Sequence, residues 1–455
     1  VTARRWLILW LIVGLALRLA ASAGLDPIRP YAGTGGDSGW YLANGYALAT
    51  GIVPCPDAFR FPRLAEAMRA LAYHHPDGLP YTCTLTDVRR LPTPPLYLYL
   101  LGALQGIFGF QSAAAVTAAR LGQIALSVAT IGLLAGIAGA IGGRRAGVAA
   151  AAIAALHPGL IVESGQIVSE TLFLTLIAAG LLAFILGVNG ARRPALALSA
   201  AGVCFGLAAL TRASALAFPL ALIALAGGIA LRDRRARLIP GLIAFALIYA
   251  LTVGSWTLYN LIRYDRLVIG GEGLAAFLYI GATGWADPQE VDQRLAQQIG
   301  MAAGAAEQDD FVAAAGAAIG SDPAAYLRRR VDELVSAVLQ PHGTTYYGGP
   351  SLRALAADWW RGDRSPGGLI ALTQTEAFWP KLLLYLAHVG VIGLALIGLW
   401  RMRARWRVML ALAGWIAYLL AVHLVLLALP RYLFPALAAA VPLAGCAFAP
   451  RRNRS

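Results

Sequence analysis

The chain has 455 residues, of which 59% are hydrophobic and only 13% charged, with a mean hydropathy of +0.65. A soluble globular chain carries about 25% charge, so these figures exclude a soluble domain and leave a polytopic helical membrane protein. The formal net charge of +14 is almost all arginine, with Lys381 the sole lysine, and it implies no nucleic-acid partner, because it lies in short clusters between apolar runs.

A bilayer crossing needs roughly 20 predominantly apolar residues. The first run, "VTARRWLILWLIVGLALRLAASAGL", is long for a signal-peptide core despite Ala-Ser-Ala near residue 22, so it reads as a retained span. Further spans are expected at roughly 114–141, 146–162, 167–187, 195–211, 213–231, 238–258, 380–400, 408–428 and 431–449, which with 6–23 makes about ten. Arginine clusters separate them: Arg4-Arg5, Arg144-Arg145, Arg192-Arg193, 232–237, 401–407 and 451–454. Short basic loops stay cytoplasmic. An even number of crossings with both termini inside places every cluster on that face, provided that the apolar stretch 93–110 does not cross. That stretch is expected to lie along the outer interface or to re-enter, with Tyr97 and Tyr99 at headgroup depth.

Three organisational units follow: 1–258, a transmembrane module with a first outer loop at 24–92; 259–378, an extracytoplasmic helical segment; and 379–455, the C-terminal spans. The first outer loop contains "GGDSGWYLANGYALATG" (35–51). Asp37, Tyr41, Asn44 and Leu48 recur at helical spacing, so a short helix is expected with Asp37 at or near its N-terminus, where the helix dipole favours an acid. An ordinary N-cap explains such an acid equally well. Cys55 and Cys83 are the only cysteines outside the apolar runs, and an oxidising compartment would permit a disulfide between them. The other reading is two free thiols. Cys204 and Cys446 are expected simply to pack. His74-His75 lacks any accompanying Cys/His ligand spacing and reads as loop polarity.

Of the 23 acids, only Asp233 falls on the cytoplasmic side of this topology. The turn "HPGLIVESGQIVSETLF" carries Glu163 and Glu170 to the outer face. Arg212 follows the fifth span, Asn260 and Arg263 end the seventh, and Arg431-Tyr432 opens the last. Ionisable groups bordering spans are costly and mark function, although each arginine taken alone fits an interfacial snorkeller. A carboxylate can deprotonate an acceptor hydroxyl, and arginine can hold a phosphate through paired hydrogen bonds. In 259–378, "ADPQEVDQRLAQQIG" and "SDPAAYLRRRVDELVSAVL" read as helices, the second capped by Asp322 with Pro323 in its first turn. "TTYYGGPS" (344–351) reads as a loop. There is no Walker or dinucleotide fingerprint. Inverted repeats are not evident and mid-span stretches hold almost no ionisable residues, which disfavours a transporter or flippase.

Several of these stretches occur in an order that resembles the GT-C class of membrane glycosyltransferases. The nearest likeness is to the family 39-like group holding the protein O-mannosyltransferases and the lipid A aminoarabinose transferase. The carriers are "GGDSGWYLANGYALATG", "PTPPLYLYLLGALQGIFG", the helices ending in "HPGLIVESGQIVSETLFL", "GLAALTRASALAFPL", "WTLYNLIRYDRLVIGGEGLAAFLYIG" and "LPRYLFPAL". The resemblance implies an all-α GT-C-like bundle with outer-face juxtamembrane helices. It also implies inverting transfer of a sugar from a polyprenyl-phosphate carrier to an acceptor on the extracytoplasmic side of a bacterial inner membrane. Carried over, Asp37 is the catalytic base and Glu170 the second acid. Some members place a phosphate-binding lysine before the Pro-Pro pair. Thr93 stands there in this chain, so arginine must substitute, with Arg431, Arg212 and Arg263 as candidates in that order. Tyr41, Tyr432, Glu163 and Asn260 are candidates for holding substrate. No cofactor is implied, and a divalent metal is left open. A polymerase or ligase of lipid-linked oligosaccharides is the alternative, acting on a diphosphate-linked donor.

Overall fold

In the computed structural model the described residues are 3–24, 37–50, 94–109, 112–189, 193–265, 267–271, 273–284 and 308–450. Among them every regular element is helical. Seven helices are long and apolar enough to cross a membrane: Ala3–Ala23, Ala113–Gly142, Glu170–Val188, Ala213–Arg232, Ala236–Ile262, Phe378–Arg401 and Arg403–Val425. The other three expected crossings consist of shorter or interrupted helices, each with a proline at a helix start or inside it. Expected span 146–162 divides into α5 (Arg144–Leu156) and α6 (Pro158–Glu163), with Pro158 restarting the chain after His157. The 195–211 region is α8 (Pro194–Ala209), which begins on proline and has only 16 residues. The last region opens with α18 (Pro430–Leu433), turns through a 3-10 segment containing Pro435, and continues as α19 (Leu437–Cys446) around Pro442.

The remaining labels follow chain order: α1 (Ala3–Ala23), α2 (Asp37–Thr50), α3 (Leu96–Phe108), α4 (Ala113–Gly142), α7 (Glu170–Val188), α9 (Phe218–Arg232) and α10 (Ile239–Tyr264). Beyond them lie α11 (Leu274–Thr283), α12 (Gln308–Ser321), α13 (Pro323–Leu339), α14 (Leu352–Arg361), α15 (Pro366–Thr373), α16 (Phe378–Arg401) and α17 (Trp406–Val425). The apolar stretch 93–110 yields α3, which has 13 residues. At 1.5 Å per residue that is about 20 Å, short of a hydrocarbon core of about 30 Å.

Successive long helices run back and forth, so chemically unlike residues collect at opposite ends. At one end, Arg401 donates to the Ala447 and Ala449 carbonyls, Arg405 to the Ile141 carbonyl, and Arg407 pairs with Asp233. The other end holds Glu163, Glu170, Arg212 and Arg431. Between them is one apolar core, with Ile131, Phe173, Phe205, Phe245 and Trp415 fully buried.

A charge is buried against that core. Arg18 on α1 is fully buried. Its Nε donates to Ser127 Oγ (2.7 Å), Nη2 to the Ala154 carbonyl (3.2 Å) and Nη1 to the Ala155 carbonyl (3.4 Å). Those carbonyls end α5, where a cation is favoured by the helix dipole. The guanidinium thus stands in for the backbone donors that the proline break removes.

Helices α2 and α3 pack as a pair with almost no space between backbones. A Cβ built on Gly45 would sit 2.7 Å from the Leu98 carbonyl oxygen, and one on Gly102 would overlap the Gly45 carbonyl. Gln105 donates to the Leu42 carbonyl (2.7 Å) across the same contact. Leu42, Tyr97 and Leu101 then pack on Val116, Ile167 and Leu172, joining the pair to α4 and to the start of α7.

The C-terminal half of 259–378 follows the expected pattern. Asp322 caps α13, its Oδ1 accepting from the Ala325 N–H (2.9 Å), with Pro323 in the first turn. The helix expected in "ADPQEVDQRLAQQIG" lies outside the described residues.

Candidate active site

The site is built where α7 begins. The chain leaves α6 at Glu163, turns through 164–169, and starts α7 with Glu170 in its first turn. Glu170 is fully buried. Its Oε1 accepts from Arg212 Nη1 at 2.7 Å and also from Arg431 Nε. Its Oε2 has no hydrogen-bond partner among the described residues. One carboxylate facing two guanidiniums leaves a net charge of +1 in a largely desolvated setting, where electrostatic attraction for an anion is strong.

Local chemistry explains how each partner arrives. Arg212 follows α8 in extended conformation, as the cap of a 3-10 turn over Ala213–Ala215. Burial alone would weaken its charge, but the Glu170 carboxylate outweighs that and holds the Arg212 pKa above its ordinary value. Its guanidinium lies 5.4 Å over the Tyr432 ring and 6.0 Å from that of Phe173, contacts that suit a planar cation. Arg431 sits in α18, which starts on Pro430 and gives way to a 3-10 turn at Phe434. Trp415 fixes this break by donating Nε1–H to the Pro435 carbonyl (2.9 Å). His423 stacks on Tyr432 at 5.4 Å with an interplanar angle of 14°.

Ser169 connects this cluster to α2. Its Oγ accepts from Arg212 Nη1 (3.2 Å) and shares a hydrogen bond with the Tyr41 hydroxyl (3.1 Å). Tyr41 meets Tyr97 edge-on at 5.0 Å, and Gln123 donates to the Tyr97 hydroxyl (2.9 Å) and to the Gln166 carbonyl (3.3 Å). The helix that begins at Asp37 is therefore docked beside Glu170 through its residue 41.

Of the candidates named from sequence, Glu170, Arg212, Arg431, Tyr432 and Tyr41 come together. Glu163 belongs to an adjacent buried cluster. Its Oε2 lies 2.8 Å from His342 Nε2 and accepts from the Tyr346 hydroxyl at 2.7 Å. Asn260, also buried, donates to the Trp256 carbonyl one turn back in its own helix (2.8 Å). Arg263 lies in the last turn of α10, and Asp37 opens α2. The side chains of these two are outside the described residues, as are Cys55, Cys83, His74 and His75 altogether. Cys204 and Cys446 are free thiols packed in the bundle. No group of three or more His, Cys, Asp or Glu among the described residues could hold a metal ion.

Sequence reasoning missed Ser169, His342, Tyr346 and Lys381. Lys381 Nζ donates to the carbonyls of Gly348 (2.7 Å), Gly349 (3.0 Å) and Pro350 (2.9 Å), fixing the loop that carries Tyr346. The signal was present in part: the sole lysine stands at the head of a span, although the Gly348-Gly349 loop it holds lies two helices earlier in the chain.

The architecture has precedents. An archaeal oligosaccharyltransferase, AglB from Archaeoglobus fulgidus, solved with an inhibitory peptide and a dolichol-phosphate, superposes with a TM-score of 0.53 at 15% identity over 98% of this chain. The chain has the GT-C fold. It spans about half the length of that enzyme, 50% of it being covered. The same oligosaccharyltransferase tethered to an acceptor peptide with the NVT sequon gives a TM-score of 0.53 at 16% identity, covering 98% of this chain and 49% of that one. ArnT from Cupriavidus metallidurans bound to undecaprenyl phosphate aligns at a TM-score of 0.38 and 16% identity, over 98% of this chain and 78% of that one. Residues 92–256 of this GT-C bundle match the family described as dolichyl-phosphate-mannose-protein mannosyltransferase. That segment contains Glu163, Glu170 and Arg212. No curated protein matches the chain.

Proposed function

We propose that the protein is an inverting glycosyltransferase that moves a sugar from a polyprenyl-phosphate carrier to an acceptor on the extracytoplasmic side of the membrane. The observation that carries this reading is the convergence of Arg212 and Arg431 on Glu170, beside a helix that begins with Asp37. The net charge of +1 at that cluster suits a phosphodiester, which carries one negative charge. As the reaction proceeds the leaving phosphate gains a second, and guanidiniums held in place by Glu170 stabilise it without reorganising.

Asp37 acts as general base. Residues four apart on a helix share one face with Cβ atoms about 5–6 Å apart, so Tyr41, anchored on Ser169, sets the position of the first turn of α2. Asp37 takes the proton of the acceptor hydroxyl. The hydroxyl oxygen attacks the anomeric carbon as the bond to the phosphate oxygen breaks, and polyprenyl phosphate leaves from the opposite face. Glu170, with its Oε1 occupied by two cations, works as the positioning residue of the arginines. Glu163, held by His342 and Tyr346, braces the neighbouring turn.

The test uses the protein in nanodiscs with a radiolabelled polyprenyl-phosphate sugar. Asp37→Asn should abolish transfer while leaving donor binding and the melting temperature near wild type, and near-normal turnover would remove Asp37 from the role. Release of a lipid diphosphate from a diphosphate-linked oligosaccharide, with no turnover of the monophosphate donor, would instead establish a polymerase or ligase.

A further inference from the structure

A cavity of about 310 Å³ opens at the arginine-rich end of the bundle. Its walls are apolar: Phe184 and Val188 on α7, Leu222 and Leu225 on α9, and Leu410 and Ala411 on α17. Arg235, Arg405 and Arg407 stand at its edge. Glu170 begins α7 and Val188 ends it, so the cavity and the Glu170 cluster are separated by the length of that helix, about 27 Å at 1.5 Å per residue. The cavity is therefore separate from the donor-phosphate arginines.

Its surroundings define the ligand chemistry. Seven arginines crowd the two turns beside it, at 232, 234, 235, 237, 403, 405 and 407, against the single acid Asp233. Arg407 is engaged by Asp233 (2.8 Å) and Arg405 by the Ile141 carbonyl. Arg235 is exposed and has no side-chain partner among the described residues. The turn that presents it is built at some cost. Arg234 takes φ 53°, a left-handed conformation usual for glycine, so that the Arg235 N–H can close on the Ala230 carbonyl (2.8 Å). Trp400 and Trp406, 63% and 49% exposed, flank the same level and mark a membrane–water interface. An unpartnered cation at headgroup depth, above an apolar slot between spans, matches an anionic lipid. Basic pockets between transmembrane helices bind lipid head groups by this logic.

We propose that this cavity is a binding site for an anionic glycerophospholipid, with its phosphate on Arg235 and one acyl chain between α7, α9 and α17. The site is distinct from the donor site and does not depend on the transferase reading. Charge complementarity selects the occupant, since a zwitterionic lipid gains little from a cluster of uncompensated arginines.

The experiment uses the full chain in phosphatidylcholine nanodiscs containing a trace of phosphatidylglycerol with a diazirine-tagged acyl chain. After irradiation the labelled peptides are mapped by mass spectrometry. Label should concentrate on residues 222–229 and 408–411 and be displaced by unlabelled phosphatidylglycerol but not by phosphatidylcholine. Arg235→Gln should lower it about fivefold, the effect of one arginine near a charged membrane surface. Ala411→Phe, which fills the slot and leaves Arg235 in place, should exclude the label equally well. Label spread evenly over the lipid-facing helices would overturn the proposal. So would equal capture of a phosphatidylcholine probe, or capture unchanged in Arg235→Gln.

Discussion

Replacing Glu170 with glutamine tests the cluster at its centre. The Glu170 carboxylate faces Arg212 at 2.7 Å and also contacts Arg431. With charge centres about 4 Å apart and an effective dielectric near 20, each attraction is worth about 4 kcal/mol before desolvation. Removing one partner of a buried pair costs about 3–5 kcal/mol, because the other charge remains buried without compensation. Glu170→Gln leaves two guanidiniums facing an amide, so its cost belongs in that range. Arg431→Gln leaves Arg212 on the carboxylate and should cost less. In the double variant the remaining Arg212 faces neutral groups, and one like-charge contact is gone. Directly contacting residues couple by about 0.5–3 kcal/mol, so the double variant should be no less stable than Glu170→Gln alone. The assay is thermal unfolding of purified protein in detergent, followed by tryptophan fluorescence at several scan rates. Melting temperatures that fall by the sum of the two single effects would refute the shared-carboxylate arrangement.

The glycine contact between α2 and α3 predicts a contrast within one helix. Gly102→Ala would drive a Cβ into the Gly45 carbonyl, whereas Gly106→Ala meets nothing within 4 Å. The first should displace α2 and lower both transfer and melting temperature. The second should match wild type or exceed it slightly, since alanine favours a helix by up to about 1 kcal/mol over glycine. Lys381→Met keeps the aliphatic stem but strips three carbonyls of their donor. It should cost about 1–3 kcal/mol and speed limited proteolysis between residues 344 and 351, read by mass spectrometry. Unchanged cleavage there would mean that the loop is held by something else.

Much of this was legible in the sequence for physical reasons. Hydropathy over a long window reports burial in lipid, and the alternation of arginine clusters with acids reports which ends of the helices are neighbours. Glu170, Arg212 and Arg431 could be joined on those grounds because each terminates an apolar run at the same end. The Glu163–His342 contact could not, since His342 follows α13 in a stretch with no periodicity and borders no apolar run. Asn260 looked like a ligand because it is polar at a helix end, and its Nδ2 also donates to a carbonyl one turn back on its own backbone. The shorter and interrupted crossings were invisible to a hydropathy sum, which counts a proline as one residue and ignores the hydrogen bonds it deletes. The same blindness hid Arg18, whose partners are Ser127 and backbone carbonyls far along the chain.

Arg18 has a consequence for biogenesis. Two of its three carbonyl acceptors, Ala154 and Ala155, are made 136 and 137 residues after it, the third being Gly14 in its own helix. At about 5–20 residues per second they emerge roughly 7 to 27 s later. An arginine within a newly inserted apolar segment is disfavoured, by about 2.5–3.5 kcal/mol at most, the figure for the helix centre. Until α5 emerges, then, the first segment must shelter its guanidinium in the insertion machinery or at the lipid headgroups. Its final seating therefore has to wait for α5.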